Sequence, residues 1–458
     1  MDIVIRNGKL LTPGGVFATD VGIVEERIAA LGEKLRGDVE LDATGCYVLP
    51  GAIDPHVHLQ MPVRGYVSAD DFASGTIAAA CGGTTTVIDF VGPAEGESLL
   101  SALAARQAEA GGRAAVDYGL HMTIPTWHAA HPEALDELPQ VIAAGVSSFK
   151  LYQAYERLGL DDVQLYTALK TVAAAGGLPI VHSENGPLCE QLRAEAVADG
   201  HTTPRYHALT RPPRQEAEAV SRVIDLAALA DSPLYIVHLS CAQAVSRVAS
   251  ARMQGQPVYA ETCPQYLVLA AGALDGPHGE RFICSPPLRS HADQSALWAS
   301  LAGGVLDVLA TDHCPFTTGE KAGHSDFTTI PGGLPSIEAR LSLTYTRGVR
   351  AGHLSLERWV EVCCTAPARL FGLTRKGHVA PGFDADVVVF DPQAQVVLNT
   401  DHLHERVDWT PYEGIRLWGW PRHVLSRGRP VVRDGNLIGQ PGWGRFVLRE
   451  PQFRETLT

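Results

Sequence analysis

The run Asp54-Pro-His-Val-His58 puts two imidazoles, His56 and His58, two residues apart just after the apolar stretch Val48 to Ile53. In an extended chain, residues i and i+2 face the same side, so this pair could share one metal ion. Two half-buried histidines with no ligand role give the same pattern, and His-x-His alone does not separate the readings. Further on, Val181-His182-Ser-Glu184 and Val237-His238-Leu-Ser240 each put a histidine at the end of an apolar run, and Leu309-Ala-Thr-Asp312-His313 puts an aspartate there. Any one of these fits a hydrogen-bonded core residue. Together, four histidines and one aspartate at successive strand ends form a set of N and O donors suited to divalent cations.

Lys150, in Val146-Ser-Ser-Phe-Lys-Leu-Tyr152, belongs to the same series. A lysine flanked by Phe149 and Leu151 inside a strand is costly when charged, and burial lowers its pKa. The neutral amine that results reacts with carbon dioxide, and the carbamate so formed is a carboxylate whose two oxygens can bridge two cations. A lysine that extends to the strand end or pairs with an acid is the ordinary alternative. The surrounding ligand types favour the carbamate.

The elements that must position these groups repeat one unit: a short apolar or β-branched run, then polar residues, then an Ala-rich stretch of helical spacing. Eight such runs end at His58, Val91, Met122, Tyr152, Glu184, Ser240, Cys263 and His313, with helical segments such as Ser98 to Ala110 and Glu216 to Ala230 between them. This pattern predicts an α/β fold, a (β/α)8 barrel spanning 51–375, whose functional groups lie at the C-terminal ends of the strands. Residues 1–50 and 376–440 instead carry short alternating strands with Gly and Pro turns, which predicts one small β-sandwich built from both termini. Leu356 to Leu370 has helical periodicity and is expected to close the barrel. The tail 441–458, with Trp443, Phe446, Val447 and Leu448 among charges, is too apolar for a free end.

The ordered set Asp54 to His58, Phe149-Lys-Leu-Tyr-Gln-Ala-Tyr155, His182-Ser-Glu-Asn185, Val237 to Ser240, Ser285-Pro-Pro-Leu-Arg289 and Thr311-Asp-His-Cys-Pro-Phe316 resembles the cyclic amidohydrolases. It is most similar to their hydantoinase and dihydropyrimidinase branch, D-hydantoinases included, over essentially the whole chain. The resemblance implies two divalent cations, zinc by expectation. His56, His58 and Asp312 would bind one and His182 and His238 the other, with carbamylated Lys150 and a hydroxide between them; carbon dioxide is the source of the carbamate. The implied reaction is hydrolytic ring opening of a 5,6-dihydropyrimidine or a 5-substituted hydantoin to an N-carbamoyl amino acid. Asp312 would carry the proton to the leaving nitrogen, and Tyr155 would donate to the developing oxyanion.

For the substrate, the resemblance implies backbone contacts at Ser285 and in the turn Ile330-Pro-Gly-Gly-Leu-Pro335, where Gly332 stands in place of the usual asparagine. Met61, Val63, Tyr66, Tyr152 and Leu158 fall on two loops that shape the exocyclic pocket of such enzymes, and their apolar character favours a small or hydrophobic substituent. Packing within the loops accounts equally for any one of them. Dihydroorotases, whose substrate bears a carboxylate, typically place an arginine two residues after the second histidine. Here Leu59, Gln60 and Met61 follow His58 and Arg64 comes later, so a neutral ring fits better. Allantoinase remains an alternative, as do a non-catalytic scaffold of the same fold, which would have lost ligands, and a mononuclear deaminase, which would leave Lys150 unmodified.

Composition bounds the partners. Hydrophobic residues make up 45% of 458, enough for a large core, and the formal net charge of −14 disfavours nucleic acid or an anionic membrane. A small-molecule substrate is the expectation. No apolar run reaches the ~18 residues of a membrane span. Nine scattered cysteines without a Cys-x-x-Cys pair suit a reducing compartment, so a cytoplasmic location is expected. In the relatives the tail packs on a neighbouring subunit, which implies a homo-oligomer, a tetramer or a dimer.

Overall fold

Eight short parallel strands carry the site motifs in the computed structural model, which describes residues 1–63 and 65–453. They are β1 (Ala52–Val57), β2 (Thr84–Val91), β3 (Asp117–Thr123), β4 (Ser148–Tyr152), β5 (Leu178–His182), β6 (Leu234–Ile236), β7 (Val258–Thr262) and β8 (Val308–Leu309). Each pairs in parallel with the next, and a parallel bridge between Val57 and His313, with His58 N–H donating to His313 O at 2.8 Å, closes the ring. Arg64 and tail residues 454–458 lie outside the described residues.

The helices follow from capping and spacing. Ser98 caps Leu99–Ala110 by accepting from Ser101 N–H. Pro213–Leu229 buries Glu216, Ala217, Val220, Val223, Ile224 and Ala227, the i, i+3, i+4, i+7 stripe of a helix laid on a sheet. The stretch from Leu356 to Leu370 is helical throughout, with a wider π turn at Glu361–Thr365. Its end, with Phe371 and Leu373, fills the N-terminal mouth of the barrel against Ile53, Ile88, Ile180 and Tyr235.

One expected strand is two. The run Val48 to His58 divides at Gly51, and Tyr47–Pro50 joins a different sheet, antiparallel to Val387–Val397. A side chain at Gly51 would put its Cβ 2.0 Å from Thr85 Oγ1, so the chain can pass from one sheet to the other this close to β2 only at glycine. The second sheet has seven strands, from Asn436–Leu437 at one edge to Gly15–Ala18 at the other. A third sheet of four strands packs against it. Their shared core takes alternate residues from each, Ile3, Ile5, Val21 and Ile23 facing Val48, Val387, Val389 and Leu425, the period-2 pattern of a sandwich.

The tail runs back over its own chain. Phe446 bridges to Tyr118 at the start of β3, with Tyr118 N–H donating to Arg445 O at 2.9 Å and Val447 N–H to Tyr118 O at 2.8 Å. All nine cysteines are buried and unbridged. Among the described residues no helix is long and apolar enough to cross a membrane.

Candidate metal centre

His56, His58, His182, His238 and Asp312 lie at or just beyond the C-terminal ends of barrel strands, and Lys150 lies inside Ser148–Tyr152, two residues before its end. His56 and His58 both turn Nε2 toward one carboxylate oxygen, Asp312 Oδ1, at 3.2 and 3.0 Å. Across the mouth, His182 Nδ1 and His238 Nε2 stand 2.9 Å apart. The two groups adjoin, since the His56 and His238 ring centroids are 5.4 Å apart. A tetrahedral zinc with bonds of about 2.0–2.1 Å holds its donors about 3.3 Å from one another, so both sets have the spacing of ligands that share an ion.

Second contacts set the tautomers. His56 Nδ1 donates to Glu261 Oε1 at 2.5 Å and His182 Nε2 to Glu184 Oε2 at 3.0 Å, which leaves His56 Nε2 and His182 Nδ1 as lone-pair atoms aimed into the site. Glu261 also accepts from Tyr235 Oη at 2.8 Å and His238 N–H at 3.2 Å. Burial pushes its carboxyl up to about 8, against the Tyr235 hydrogen bond and the Lys150 charge. Burial acts on Glu184 in the same sense, yet Arg211, 2.5 Å away, holds it well below the usual carboxylate range. Burial drives His56, His182 and His238 below their ordinary range, so at neutral pH all three are neutral imidazoles. Asp312 is half-buried; desolvation pushes its carboxyl up, but the neighbouring His56, His58 and His238 hold it below the usual carboxylate range, so it stays ionised.

Lys150 does not reach solvent. It is 1% exposed, its Nζ 5.1 Å from the centroids of both Phe90 and Tyr152. Burial lowers its amine to about 8, opposed by Asp312 and Glu261, so about a tenth is neutral at pH 7. An ordinary lysine is neutral there at only a few parts in ten thousand.

Three candidate residues occupy left-handed backbone: His238 at φ 41°, Asp312 at φ 53° and Tyr155 at φ 73°. Residues other than glycine adopt this region rarely and at a cost, and do so most often where a side chain must be aimed. The Tyr155 ring lies 5.0 Å from that of His182 and 5.9 Å from that of Tyr152, which puts the phenol beside the ligands.

The substrate-side candidates divide into two groups. Ser285 and Gly332 stand on adjoining segments: Gly333 N–H donates to Ile283 O at 2.9 Å, and Lys321 Nζ donates to both Ile283 O and Pro331 O at 3.1 Å. Sequence reasoning missed this fully buried lysine and also Glu261. Each is a lone charged residue whose partners are distant in sequence, so only its position inside an apolar strand or short helix could have flagged it. A Cβ at Gly332 would have only contacts of 3.9 Å or more, so a side chain fits there. Met61, Val63, Tyr66 and Leu158 are half-buried on loops after β1 and β4. Met61 N–H donates to Ser68 Oγ at 2.9 Å, whose hydroxyl donates to His58 O at 2.6 Å, and Leu158 N–H donates to Tyr155 O at 3.1 Å. Tyr152, also half-buried, packs 5.8 Å from the His182 ring.

Known proteins share this arrangement. The Amidohydrolase family profile matches residues 47–431. A D-hydantoinase of Geobacillus stearothermophilus is 46% identical over 98% of this chain and 97% of its own. A D-phenylhydantoinase of Escherichia coli is 43% identical over 98% and 99%. The crystal structure of a dihydropyrimidinase from Brevibacillus agri superimposes with a TM-score of 0.96 at 44% identity, covering 98% of this chain and 99% of that one.

Proposed function

Because this chain belongs to the amidohydrolase family, on its hydantoinase and dihydropyrimidinase branch, it hydrolyses cyclic amides, and we propose that its preferred substrates are 5-substituted hydantoins with apolar substituents. The convergence of His56, His58 and Asp312 with His182 and His238 beside buried Lys150 is the observation that most supports the chemistry. The apolar and aromatic loop residues Met61, Val63, Tyr66, Tyr152 and Leu158, and relatives named for D-hydantoin and D-phenylhydantoin substrates, support the preference.

In this reading His56, His58 and Asp312 would hold one divalent ion and His182 and His238 a second, with carbamylated Lys150 as a further carboxylate ligand. The ions, zinc by their N and O donor set, supply Lewis acidity and an activated water. Asp312 Oδ would hold the proton given up by the attacking water and return it to the ring nitrogen as the C–N bond breaks. Tyr155 Oη donates to the carbonyl oxygen while negative charge builds there. Main-chain groups at Ser285 and Gly332 orient the imide edge, and Lys321 fixes the spacing of their two segments. The product is an N-carbamoyl amino acid.

Tyr155→Phe is expected to lower kcat about 10²-fold with the metal content unchanged, the cost of losing one oxyanion donor. Near-normal turnover would remove Tyr155 from the reaction. Gly332→Asn should fold normally, since there is space for the side chain, and should lower KM about 2–5-fold by restraining a backbone that glycine leaves free. A higher KM with kcat unchanged would show that the glycine itself is needed. The substrate assignment is tested by rates on dihydrouracil, hydantoin, 5-substituted hydantoins of both hands, allantoin and dihydroorotate; fastest turnover of allantoin or dihydroorotate would refute it.

The same reading takes residues 51–375 as the catalytic barrel and 1–50 with 376–440 as the sandwich. It takes the tail from 441 as a contact between subunits of a homotetramer or dimer, a point that light scattering of the intact and tail-truncated chains decides.

A further inference from the structure

Inside the barrel, below the ligands, lies a cation that the reaction does not use. Arg449, from the tail, is 2% exposed, and among the described residues no carboxylate comes within ion-pair distance of it. Its Nη1 donates to Ser148 Oγ at 2.8 Å, and its Nη2 donates to Leu120 O. Glycine at 119 gives it room: a Cβ there would lie 3.2 Å from Arg449 Nε and 3.3 Å from Cδ, so any side chain would push the guanidinium aside by a few tenths of an ångström.

The hydrogen bonds continue from Ser148 in one direction. His121, fully buried, has Nε2 2.8 Å from Pro55 O, an acceptor, so Nε2 carries the proton. Its Nδ1, 2.6 Å from Ser148 Oγ, must then accept from the serine hydroxyl, whose oxygen accepts in turn from Arg449. The chain therefore runs Arg449 to Ser148 to His121 to Pro55 with a donor facing an acceptor at each of its three links, while Arg449 Nε makes no hydrogen bond of its own. Burial and the Arg449 charge both keep His121 neutral, as the chain requires, because an imidazolium could not accept from Ser148.

Two members of this chain adjoin the ligands along their strands. Pro55 precedes His56 in β1, and Ser148 lies two residues before Lys150 on the same face of β4. The His121 ring packs 4.8 Å from Phe90, which in turn lies 4.8 Å from His56 and 4.7 Å from His58. A purely space-filling plug could be apolar and would avoid the cost of an unneutralised buried cation.

We propose that Arg449 is a positioning residue for the metal ligands: through Ser148 and His121 it holds β1 and β4 at the height of His56 and Lys150, so retention of the metal depends on the C-terminal tail. This rests on the metal-site reading above. The test is release of zinc from the loaded, full-length protein into excess chromogenic chelator, with the melting temperature recorded in parallel. Arg449→Met and Gly119→Ala should each release zinc about 10–100-fold faster, the scale on which outer-shell partners alter metal affinity. Arg449→Lys, which keeps a cationic donor, should recover most of the loss. Arg449→Met combined with His121→Leu should be no faster than the faster single variant, since both break one chain. Trp443→Ala, which removes the stacking of the tail on Arg427 but leaves the chain intact, should lower the melting temperature without hastening release. Wild-type release rates in Arg449→Met, multiplicative effects in the double variant, or equal acceleration in Trp443→Ala would each overturn the proposal. Wild-type protein that holds less than one ion per chain after loading would instead overturn the metal-site reading beneath it.

Discussion

Lys150→Ala is expected to bind at most one metal ion per chain where the parent binds two, and to lose on the order of 10³-fold or more in turnover on any hydantoin. The side chain is 1% exposed and enclosed by Phe90 and Tyr152, so only a small solute at high concentration can take its place. A small carboxylic acid such as acetate or propionate, supplied at high concentration, should restore part of the activity to the alanine variant by entering the vacated space as a carboxylate. Lys150→Arg should not be rescued, because the space stays filled and arginine cannot lose its proton to react with carbon dioxide. The pH dependence follows from the amine. Burial places it near 8 in the metal-free protein, so its reactive neutral fraction grows with pH and levels off above that value. At fixed dissolved carbon dioxide, reactivation of metal-stripped and decarboxylated protein should therefore speed up about tenfold per pH unit up to roughly pH 8 and then flatten. A rate still climbing tenfold per unit at pH 10 would mean that the lysine is not desolvated. Two ions and normal turnover in Lys150→Ala would exclude the carbamate altogether.

Asp312→Asn should cost as much or more, about 10⁴-fold in kcat/KM, because one side chain serves two purposes. Its Oδ1 is the point on which His56 and His58 converge, and its carboxylate is the proton carrier of the proposed reaction. The amide can offer its oxygen to a metal but cannot accept and return a proton. The two purposes separate in a pair of measurements. Asn should retain much of the metal while abolishing turnover, whereas Asp312→Ala should lose both. The backbone at φ 53° accepts Asn more readily than Ala, which keeps Asn the cleaner probe of the proton step. Turnover in Asp312→Asn within tenfold of the parent would assign the proton step to another group.

How far the sequence revealed this depends on where each group's partners lie. His56, His58, Lys150, His182, His238 and Asp312 were legible because each ends an apolar run in its own short motif, and barrel geometry gathers strand ends whatever their separation in the chain. Glu261 was not, because its partner His56 is 205 residues away and nothing beside it in Val258–Thr262 marks a ligand-orienting carboxylate. Arg449 was hidden for the same reason: in an apolar tail it reads as an exposed charge, and its partners Ser148 and Leu120 are 301 and 329 residues away. The break at Gly51 escaped notice because the apolar pattern runs straight through it. The change of sheet is decided by the approach of Thr85, which periodicity does not record.

The sandwich built from both termini also has a history in time. Leu49 pairs with Val388, so the ladder beside the first barrel strand closes a loop of about 340 residues. The N-terminal strands pair among themselves, but at ribosomal rates of ~5–20 residues per second Tyr47–Pro50 must wait about 20–70 s for Val387–Val397 to emerge. Throughout that interval Leu10, Val21, Ile23 and Val48, all buried in the finished molecule, have only one another to cover them. The barrel can begin to assemble first, strand by neighbouring strand, while the first fifty residues remain a client for chaperones. Yield in a cell should therefore respond more to how quickly the roughly 340 intervening residues are translated than to the final stability of the fold.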